Sequence, residues 1–369
     1  MPKVVTLVGA RPQFIKVAPV SQALARHAAI EESIIHSGQH YDARMSDVFF
    51  DELGIAPPAV NLAVGSGSHG AQTGQMLEGI ERELLRLRPD LVLVYGDTNT
   101  TLAAAIAAVK LEIPIAHVEA GVRCHSLAVP EEVNRRLTDH ISSLLFTPTD
   151  LATENLRREG IAPGAVHQVG DVMLDAARHF SVRARERSRI VADLGVADGT
   201  FALVTIHRPN HTDEAVVRAN VVEAMLDLAR ERPVVWPIHP RLESRLSADE
   251  LSRLRASGIH LIPPVGYLDM LRLEAGAAVI VTDSGGVQRE AFFLERPCVV
   301  VRAGEAPPEW PELAELGWTV VVDPTTPRAV REAVAFQLAG GARRPGAPFG
   351  DGTAAVQVAS AIARHLGCD

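Results

Sequence analysis

LVLVYGDTNTTLAAAIAAVKLEIPIAHVE, residues 91–119, is the most informative segment of the chain for its fold. The apolar run Leu91–Tyr95 predicts a buried strand, and the alanine-rich run Asn99–Lys110 after a glycine turn predicts a helix. A second apolar run, Ile115–Glu119, predicts another strand. Because a parallel strand pair needs a crossover connection, which a helix supplies, the segment indicates a β-α-β unit.

The same alternation of apolar runs and helical stretches continues along the chain in two series. A strand-free, arginine-rich segment at His179–Arg189 separates the series and is predicted to be a helical link. Strands are predicted at Val4–Val8, Ser33–His36, Leu91–Tyr95, Ile115–Glu119, Leu144–Thr147 and Val166–Val169, then at Phe201–Thr205, Val234–Pro237, His260–Ile262, Ala278–Thr282, Cys298–Val301 and Thr319–Val322. We therefore predict an α/β protein with two Rossmann-like domains, residues 1–175 and 176–350, that face each other across a cleft lined by the carboxyl ends of the strands.

Composition argues against several classes of function. The 369 residues are 47% hydrophobic and 22% charged, as in an ordinary globular enzyme. A net charge of −9 argues against a nucleic-acid partner, because a phosphate backbone needs a basic face. No segment approaches the ~20 apolar residues of a membrane-spanning helix, and the apolar run at the N-terminus is too short for a signal peptide. Widely spaced cysteines (Cys124, Cys298 and Cys368) favour a reducing cytoplasm, and no motif predicts a metal site.

Three carboxylates lie at strand or helix ends of the first half, where open α/β sheets carry functional groups. Asp97 follows the strand Leu91–Tyr95, Glu119 ends the next strand, and Glu131 opens a proline-led helix. Two-residue alternation predicts that His117 and Glu119 share one strand face. Neighbouring carboxylates raise one another's affinity for protons, so one can act as general acid while another acts as base.

These carboxylates also have structural interpretations. Asp97 is suited to cap the helix that follows it. Glu131 lies four residues before Arg135, a spacing typical of surface ion pairs. Glu119 differs, because a glutamate at the end of a buried strand is costly unless it has a partner or a function. The set as a whole therefore favours an acid–base site.

Two glycine-containing loops of the first half partly resemble nucleotide-binding motifs. The first strand leads through Gly9 into a helix start that carries Arg11 and Lys16, and these cations at a helix N-terminus favour an anion. The loop lacks the second glycine and the Lys-Ser/Thr pair of a P-loop. Gly65–Gly70 matches the dinucleotide fingerprint in its letters, but it has no proper preceding strand and no acidic residue about 20 positions later. We interpret it as a loop that enters a helix, and we expect no NAD cofactor.

The second half carries a glycine pair directly after an apolar strand. Ser284, Gly285 and Gly286 open a helix there, and their exposed N–H groups suit the close approach of a diphosphate. Glu290, in the same helix, is placed to accept hydrogen bonds from ribose hydroxyls. His207 and, less strongly, His239 follow other strands as further polar candidates, although a lone histidine is usually structural. A simple tight turn is the alternative for the glycine pair.

Together these segments resemble the non-hydrolysing UDP-N-acetylglucosamine 2-epimerases. The resemblance is carried, in order, by Gly-Ala-Arg-Pro at 9–12, Gly-Asp-Thr at 96–98, His-Val-Glu-Ala-Gly at 117–121, Pro-Glu-Glu-Val-Asn-Arg at 130–135, the run at 282–290 and Phe-Gly-Asp-Gly at 349–352. It implies a glycosyltransferase-B-like fold in which a last helix, predicted at Thr353–Leu366, crosses back so that residues 351–369 complete the first domain. It also implies a homodimer and a reaction without NAD.

The family's reaction inverts carbon 2 of UDP-N-acetylglucosamine by elimination of UDP, formation of 2-acetamidoglucal and re-addition of UDP. The resemblance implies that Asp97, Glu119 and Glu131 are the acid–base and sugar-positioning group and that His207 serves catalysis or phosphate contact. For substrate binding it implies phosphate or sugar contacts from Arg11, Lys16 and Arg135, a diphosphate site at Ser284, Gly285 and Gly286, ribose contact from Glu290, a uracil-facing stretch at Tyr267 and Leu268, and a lesser role for His239.

The chain departs from the family's pattern at three places in its second half. His207–His211 stands where the family usually has His-Arg-x-Glu-Asn, so an acidic residue is lost. Arg289 stands before Glu290 where the family usually has lysine or glutamate. Val301–Trp310 is longer than the family's Arg-x-x-Thr-Glu pattern and lacks its threonine. These changes bear on which sugar nucleotide is bound.

Three other functions remain open at this stage. A hydrolysing 2-epimerase would share the elimination step but release N-acetylmannosamine and UDP. A B-type glycosyltransferase would need an acceptor and would leave the proton on carbon 2 unexchanged. An inactive sugar-nucleotide-binding protein would bind UDP without any exchange.

Overall fold

The computed structural model describes residues 1–39, 50, 52–304 and 309–368. Its internal contacts divide the chain into two compact units, Met1–Ala176 with Ala347–Asp369, and Ala177–Gly346. Each unit is built on one sheet whose strands pair in parallel, with helices between successive strands. The protein is therefore an α/β protein with two Rossmann-like sheets, as the alternation of apolar runs predicts.

The sheet of the first unit has seven strands in the order β3-β2-β1-β4-β5-β6-β7. Their bounds are β1 Lys3–Val8, β2 Glu31–His36, β3 Val60–Asn61, β4 Leu91–Tyr95, β5 Ile115–Val118, β6 Leu144–Thr147 and β7 Val166–Gln168. The helices around it are α1 Arg11–Leu24, α2 His69–Leu87, α3 Asn99–Lys110, α4 Pro130–Ile141, α5 Asp150–Arg158 and, at the end of the chain, α16 Ala354–His365. The last helix, α16, packs against α1.

The central strand β4 is buried on both faces of the sheet. All five of its residues are inaccessible to solvent, as expected for a parallel strand covered by helices on each side. On one face, its Val92 and Val94 share a core with Met76 and Ile80 of α2. The alanines of α3 join the same core, and their small side chains let that helix lie close to the sheet.

The second unit has six strands in the order β10-β9-β8-β11-β12-β13. Their bounds are β8 Ala202–Thr205, β9 Val234–Pro237, β10 His260–Ile262, β11 Val279–Thr282, β12 Cys298–Val301 and β13 Thr319–Val322. The helices are α6 Val172–Arg187, which carries the chain into this unit, α7 Ile190–Asp193, α8 Pro209–Thr212, α9 Ala215–Ala229, α10 Pro240–Glu243, α11 Ala248–Ala256, α12 Tyr267–Gly276, α13 Gly285–Phe293, α14 Pro311–Glu315 and α15 Pro327–Leu338.

Most elements lie within two residues of their predicted bounds, and the differences have physical causes. Strand β3 was not predicted because two residues are too few to show a pattern. The strand predicted at 115–119 ends at Val118, because Glu119 has φ 74°, in the left-handed region that no strand residue adopts. The prediction that His117 and Glu119 share a face by strand alternation is therefore wrong.

No helix in the described part of the chain is both long enough and apolar enough to cross a membrane.

Candidate active site

The turn between β1 and α1 is tied to the end of β4 by one buried glutamine. The side-chain oxygen of Gln13 accepts hydrogen bonds from the backbone N–H groups of Gly9 (2.8 Å) and Ala10 (3.1 Å). Its amide nitrogen donates to the carbonyl of Tyr95 at 3.0 Å. The helix start that carries Arg11 is thereby held beside the loop that follows β4. The sequence analysis missed Gln13, although its place at the third helical position suits it to bind the preceding turn.

Gly96 lets two functional side chains, Lys16 and Glu119, approach one turn. It has φ 63°, and a Cβ added there would lie 3.0 Å from Lys16 Nζ and 4.0 Å from a carboxylate oxygen of Glu119. Its N–H donates to the carbonyl of Val118 at 2.9 Å, which joins the ends of β4 and β5. A larger residue would meet both the backbone strain and the ammonium group, so glycine is required here.

Glu119 is held by a cation from α1. Its carboxylate lies 2.6 Å from Lys16 Nζ, and the two side chains are only 8% and 5% exposed. The Phe146 carbonyl fixes its left-handed backbone by accepting hydrogen bonds from the N–H groups of Glu119 (3.1 Å) and Ala120 (3.0 Å). A non-glycine residue in this conformation is strained, and such strain is concentrated at functional sites.

Asp97 is held by a cation from α4. Arg135 contacts one carboxylate oxygen of Asp97 through Nη2 (2.6 Å) and Nε (3.0 Å), and Asn134 donates to the Asp97 carbonyl at 2.9 Å. The Asp97 side chain remains 23% exposed, while Arg135 is 5% exposed. The helix N-cap is Thr98, whose hydroxyl accepts from Thr101 N–H. The alternative in which Asp97 caps the helix is therefore wrong.

Glu131 and Glu132 occupy the first turn of α4 and differ in environment. Glu131 is exposed, whereas the neighbouring Glu132 is fully buried. Glu132 accepts from Cys124 N–H at 2.9 Å and from Arg136 at 2.9 Å. Burial raises the pKa of Glu132, but these hydrogen bonds and the Arg135 charge outweigh it, so its pKa lies below the usual value. Asp97 directly follows Gly96, Glu119 approaches the same turn, and Glu131 supplies an exposed carboxylate at the start of α4.

A buried polar cluster bonds the backbone at Gly96 and at Gly121. His117 lies 2.7 Å from Asp139 through Nδ1 and 2.8 Å from the Gly96 carbonyl through Nε2, and neither His117 nor Asp139 is exposed. Arg123 pairs with Asp139 at 2.7 Å and also binds Glu159. Burial raises the pKa of Asp139, but its bonds to His117 and the Arg123 charge outweigh it and hold it below the usual value.

His117 joins the turn after β4 to α4. A carbonyl oxygen only accepts a hydrogen bond, so Nε2 of His117 donates to the Gly96 carbonyl while Nδ1 contacts Asp139. The sequence analysis missed Asp139 and Arg123. The available signal was the composition of α4, whose buried residues are all polar or charged: Glu132, Asn134, Arg135, Thr138 and Asp139.

In the second unit, Asp283 organises the ends of two strands. Its carboxylate accepts from the backbone N–H groups of His207 (2.9 Å) and Arg208 (2.8 Å) and contacts the Nδ1 atoms of His207 (2.7 Å) and His211 (2.9 Å). Burial raises the pKa of Asp283, but the charge and hydrogen bonds of His207 and the other donors outweigh it, and the pKa lies far below its usual value. The His207 side chain remains 43% exposed. The sequence analysis assigned no role to Asp283, although it directly precedes Ser284.

The N-terminus of α13 is formed by the predicted serine and glycines. Ser284 caps the helix by accepting from Val287 N–H at 3.4 Å. A Cβ at Gly285 would lie 2.6 Å from a carboxylate oxygen of Glu309. Arg208 contacts the two Glu309 oxygens at 3.3 and 3.4 Å. A carboxylate of the chain therefore already lies at this helix N-terminus, which is the position that the sequence predicts for a diphosphate.

The remaining candidate residues of the second unit lie around the same sheet. His239 caps α10 by accepting from Arg241 N–H at 3.2 Å, and its ring centroid is 6.0 Å from that of His207. Tyr267, at the start of α12, is buried edge-on against Phe180 with ring centroids 5.8 Å apart. Leu268 and Glu290 are also buried, at 6% and 4% exposure. The described residues contain no group of three or more His, Cys, Asp or Glu side chains that could hold a metal ion.

Comparison with known proteins gives a consistent result over the full length. The family model described as UDP-N-acetylglucosamine 2-epimerase matches residues 22–363. A UDP-N-acetylglucosamine 2-epimerase homolog of Methanococcus maripaludis is 45% identical over 363 residues, which cover 98% of this chain and 99% of that protein. The UDP-2,3-diacetamido-2,3-dideoxy-D-glucuronate 2-epimerase of Pseudomonas aeruginosa is 43% identical over 367 residues, which cover 98% of this chain and 99% of that protein.

A solved structure agrees with both units. The crystal structure of Methanocaldococcus jannaschii UDP-GlcNAc 2-epimerase, in complex with UDP-GlcNAc and UDP, aligns with a TM-score of 0.89, 40% sequence identity and 100% coverage of both chains. The fold is therefore glycosyltransferase-B-like, as the resemblance implies. With a matching family model over most of its length and relatives above 40% identity, the chain belongs to the UDP-N-acetylglucosamine 2-epimerase family.

Proposed function

We propose that the chain interconverts UDP-N-acetylglucosamine and UDP-N-acetylmannosamine without hydrolysis. A carboxylate removes the proton from carbon 2, the bond from carbon 1 to the diphosphate oxygen breaks, and UDP leaves with the electron pair. The resulting 2-acetamidoglucal then receives a proton at carbon 2 on the opposite face as UDP re-adds at carbon 1. Carbon 2 has no adjacent carbonyl, so departure of the diphosphate supplies the driving force for loss of its proton.

The single observation that supports this proposal best is the pair of carboxylates at the Gly96 turn. Asp97 and Glu119 come from the ends of adjacent strands, and each is held by a cation, Arg135 at 2.6 Å and Lys16 at 2.6 Å. The two cations fix the positions of these carboxylates, and a fixed carboxylate beside the sugar can serve as a general base or, once protonated, as a general acid. Two faces of one carbon need two proton-transfer groups, and general acid–base groups of this kind contribute about 10²–10⁴-fold each in rate.

The remaining residues are proposed to bind the substrate or to assist the reaction. Glu131 completes the acid–base group, and His207 contacts the diphosphate or the leaving oxygen. The proposed substrate-binding set is Arg11, Lys16 and Arg135 for phosphate or sugar, Ser284, Gly285 and Gly286 for the diphosphate, Glu290 for ribose, Tyr267 and Leu268 for uracil, and His239. We further propose a homodimer in the cytoplasm, which sedimentation of the purified protein and cell fractionation would test.

The name of one relative points to a second candidate substrate, UDP-2,3-diacetamido-2,3-dideoxy-D-glucuronate. The Pseudomonas aeruginosa relative is a UDP-2,3-diacetamido-2,3-dideoxy-D-glucuronate 2-epimerase and is 43% identical, as similar to this chain as the UDP-GlcNAc 2-epimerase of known structure at 40%. By name, both are UDP-sugar 2-epimerases. The ratio of kcat/KM for the two UDP-sugars, measured side by side, identifies the substrate.

Incubation with UDP-N-acetylglucosamine in deuterated water, followed by proton NMR, tests the proposal. We expect UDP-N-acetylmannosamine and UDP-N-acetylglucosamine that both carry deuterium at carbon 2. Free N-acetylmannosamine with accumulating UDP would instead indicate a hydrolysing enzyme. Transfer to an added acceptor without deuterium uptake would indicate a glycosyltransferase, and UDP binding without any exchange would indicate an inactive binding protein.

A further inference from the structure

His211 is one of the residues at which this chain departs from the family's His-Arg-x-Glu-Asn pattern, with histidine in place of asparagine. It lies in α8, just after the His207–Arg208 strand end, and is 2% exposed. Its Nδ1 atom lies 2.9 Å from Asp283 Oδ2. Its Nε2 atom accepts a hydrogen bond of 3.0 Å from the backbone N–H of Ala303. One ring therefore spans two loops of the second unit.

The two contacts define one tautomer of His211. The Ala303 N–H is a donor, so Nε2 of His211 must be an unprotonated acceptor. The Asp283 carboxylate is an acceptor, so Nδ1 must carry the proton. His211 is therefore neutral, with its proton on Nδ1. In a protonated ring, Nε2 would also be a donor and would lie against the N–H donor of Ala303.

The two partners of His211, Asp283 and Ala303, belong to different parts of the second unit. Asp283 accepts from the backbone N–H groups of His207 and Arg208, so its orientation determines where that strand end lies. Ala303 follows β12, which is adjacent to β11 in the sheet. Ligands of open α/β sheets bind beyond the carboxyl ends of the strands, and both loops lie at such ends.

We propose that His211 is a positioning residue, whose fixed tautomer ties the turn after β8, which carries His207 and Arg208, to the backbone at Ala303, just after β12. This inference rests on the proposed function, in which His207 and the α13 helix start contact the diphosphate. The bond to Asp283 orients His207 for the reaction. The bond to Ala303 holds the backbone that leaves β12 beside the same turn, next to the proposed diphosphate site. The asparagine usual in the family is long enough for the first bond and too short for the second.

Two variants of His211 distinguish the effects of its hydrogen bonds to Asp283 and to Ala303. His211→Phe keeps a buried ring and removes both bonds, so we expect kcat to fall roughly 3- to 10-fold and KM to rise by a similar factor, the scale of a lost hydrogen bond at each end. His211→Asn keeps a donor for Asp283 and loses the acceptor for Ala303. We expect its kcat to return to the wild-type value while KM and the Kd for UDP stay raised.

Thr212→Val is the matched control. Thr212 is the buried neighbour of His211 in α8, and its hydroxyl bonds the Pro209 carbonyl and Asp213, not Asp283. Its kcat, KM and Kd for UDP should match those of the wild type. If Thr212→Val reproduced the losses of His211→Phe, disturbed packing of α8 would explain them and the inference would be overturned.

A second measurement does not depend on activity or on the folding of the phenylalanine variant. In protein labelled with ¹⁵N-histidine, long-range ¹H–¹⁵N correlation should show a neutral Nδ1–H histidine signal that is present in the wild type and absent from His211→Asn. An Nε2–H tautomer or an imidazolium at His211 would overturn the inference, as would both His211 variants with wild-type kcat and KM. A wild-type protein that neither binds UDP nor exchanges carbon 2 would instead overturn the proposed function.

Discussion

Asp97 and Glu119 show how single residues set the electrostatics of the candidate site. Considered alone, neighbouring carboxylates raise one another's affinity for protons, which was the argument from the sequence. In the structure, each of the two has a cationic partner, Arg135 or Lys16, and three of these four side chains are at most 8% exposed. The sequence contains all four residues but gives no indication of which cation meets which carboxylate, because the partners come from helices 38 and 103 positions away along the chain.

The folded state disfavours the ionised form of Asp175. One oxygen accepts from Ala355 N–H at 2.9 Å, at the start of α16, and the other is buried without a partner among the described residues. Burial raises its pKa from 3.8 to about 6, with a smaller contribution from Asp171, against hydrogen bonds from Ala355 and Ala354 that lower it. The folded state therefore holds this proton more tightly than the unfolded state does.

The pH dependence of stability follows from that shift. The contribution of Asp175 is fully present below its unfolded pKa near 3.8 and is lost as the pH rises through about 6. Asp175→Asn keeps an acceptor for Ala355 and carries no charge. We therefore expect it to be more stable than the wild type at pH 8, by at most about 3 kcal/mol, with the difference vanishing towards pH 4.

Urea unfolding at a series of pH values measures this difference. Asp193→Asn, which removes an exposed carboxylate, is the control and should follow the wild type throughout. A constant difference between Asp175→Asn and the wild type from pH 4 to pH 8 would contradict the account.

At the scale of elements, α4 is unusual because its buried face is polar. Asp139 on that face is fully buried and bonds His117 and Arg123, whereas Leu137 of the same helix is 49% exposed. Asp139→Asn removes the buried carboxylate that bonds both His117 and Arg123 and leaves Arg123 with Glu159 as its acidic partner, so we expect a loss of about 3 kcal/mol in the free energy of unfolding. Leu137→Ala should change it by less than about 0.5 kcal/mol.

Urea unfolding of the two α4 variants at one pH provides the comparison. If Leu137→Ala cost as much as Asp139→Asn, the buried polar face would not be what anchors this helix to the sheet.

The start of helix α13 provides a second prediction at this scale. Glu309 places a carboxylate oxygen 2.6 Å from the Cβ position of Gly285, where the diphosphate is proposed to bind. A bound diphosphate has to displace this anion from the helix N-terminus. Glu309→Gln should therefore bind UDP more tightly, by roughly 3- to 10-fold, the scale of one charge at a helix end.

Isothermal titration with UDP measures the change. Glu315→Gln, which removes an exposed carboxylate nearby in sequence, should bind UDP as the wild type does. Unchanged or weaker binding by Glu309→Gln would mean that the carboxylate does not compete with the nucleotide.

Elements differ in how well the sequence predicts them. The run at 91–119 fixes β4, α3 and β5 almost to the residue, because buried parallel strands are continuous apolar runs. The polar face of α4 could not be assigned in the same way, since an amphipathic pattern normally places polar residues outside. Glu119 was misassigned to a strand for a related reason. Its left-handed backbone is imposed by hydrogen bonds to Phe146, which no local pattern encodes.

At the scale of the whole molecule, the order of motifs along the chain carries the functional assignment. Each motif alone is short, yet together they span both units, and relatives align over 98% of the chain. Composition and periodicity predict two parallel sheets, but they cannot select a reaction, because this fold class supports many chemistries. The residues at the strand ends supply that information, and the departures at 207–211, Arg289 and 301–310 are where this chain differs from the family's usual pattern.

The most direct test of the central claim is the rate at which Glu119→Gln incorporates deuterium at carbon 2 of UDP-N-acetylglucosamine. Glutamine keeps the size of the side chain and cannot take up the proton, so the rate should fall at least about 10²-fold while UDP still binds. Asp97→Asn and Glu131→Gln should behave in the same way. Near-normal deuterium incorporation by Glu119→Gln would show that the carboxylate held by Lys16 does not move the proton.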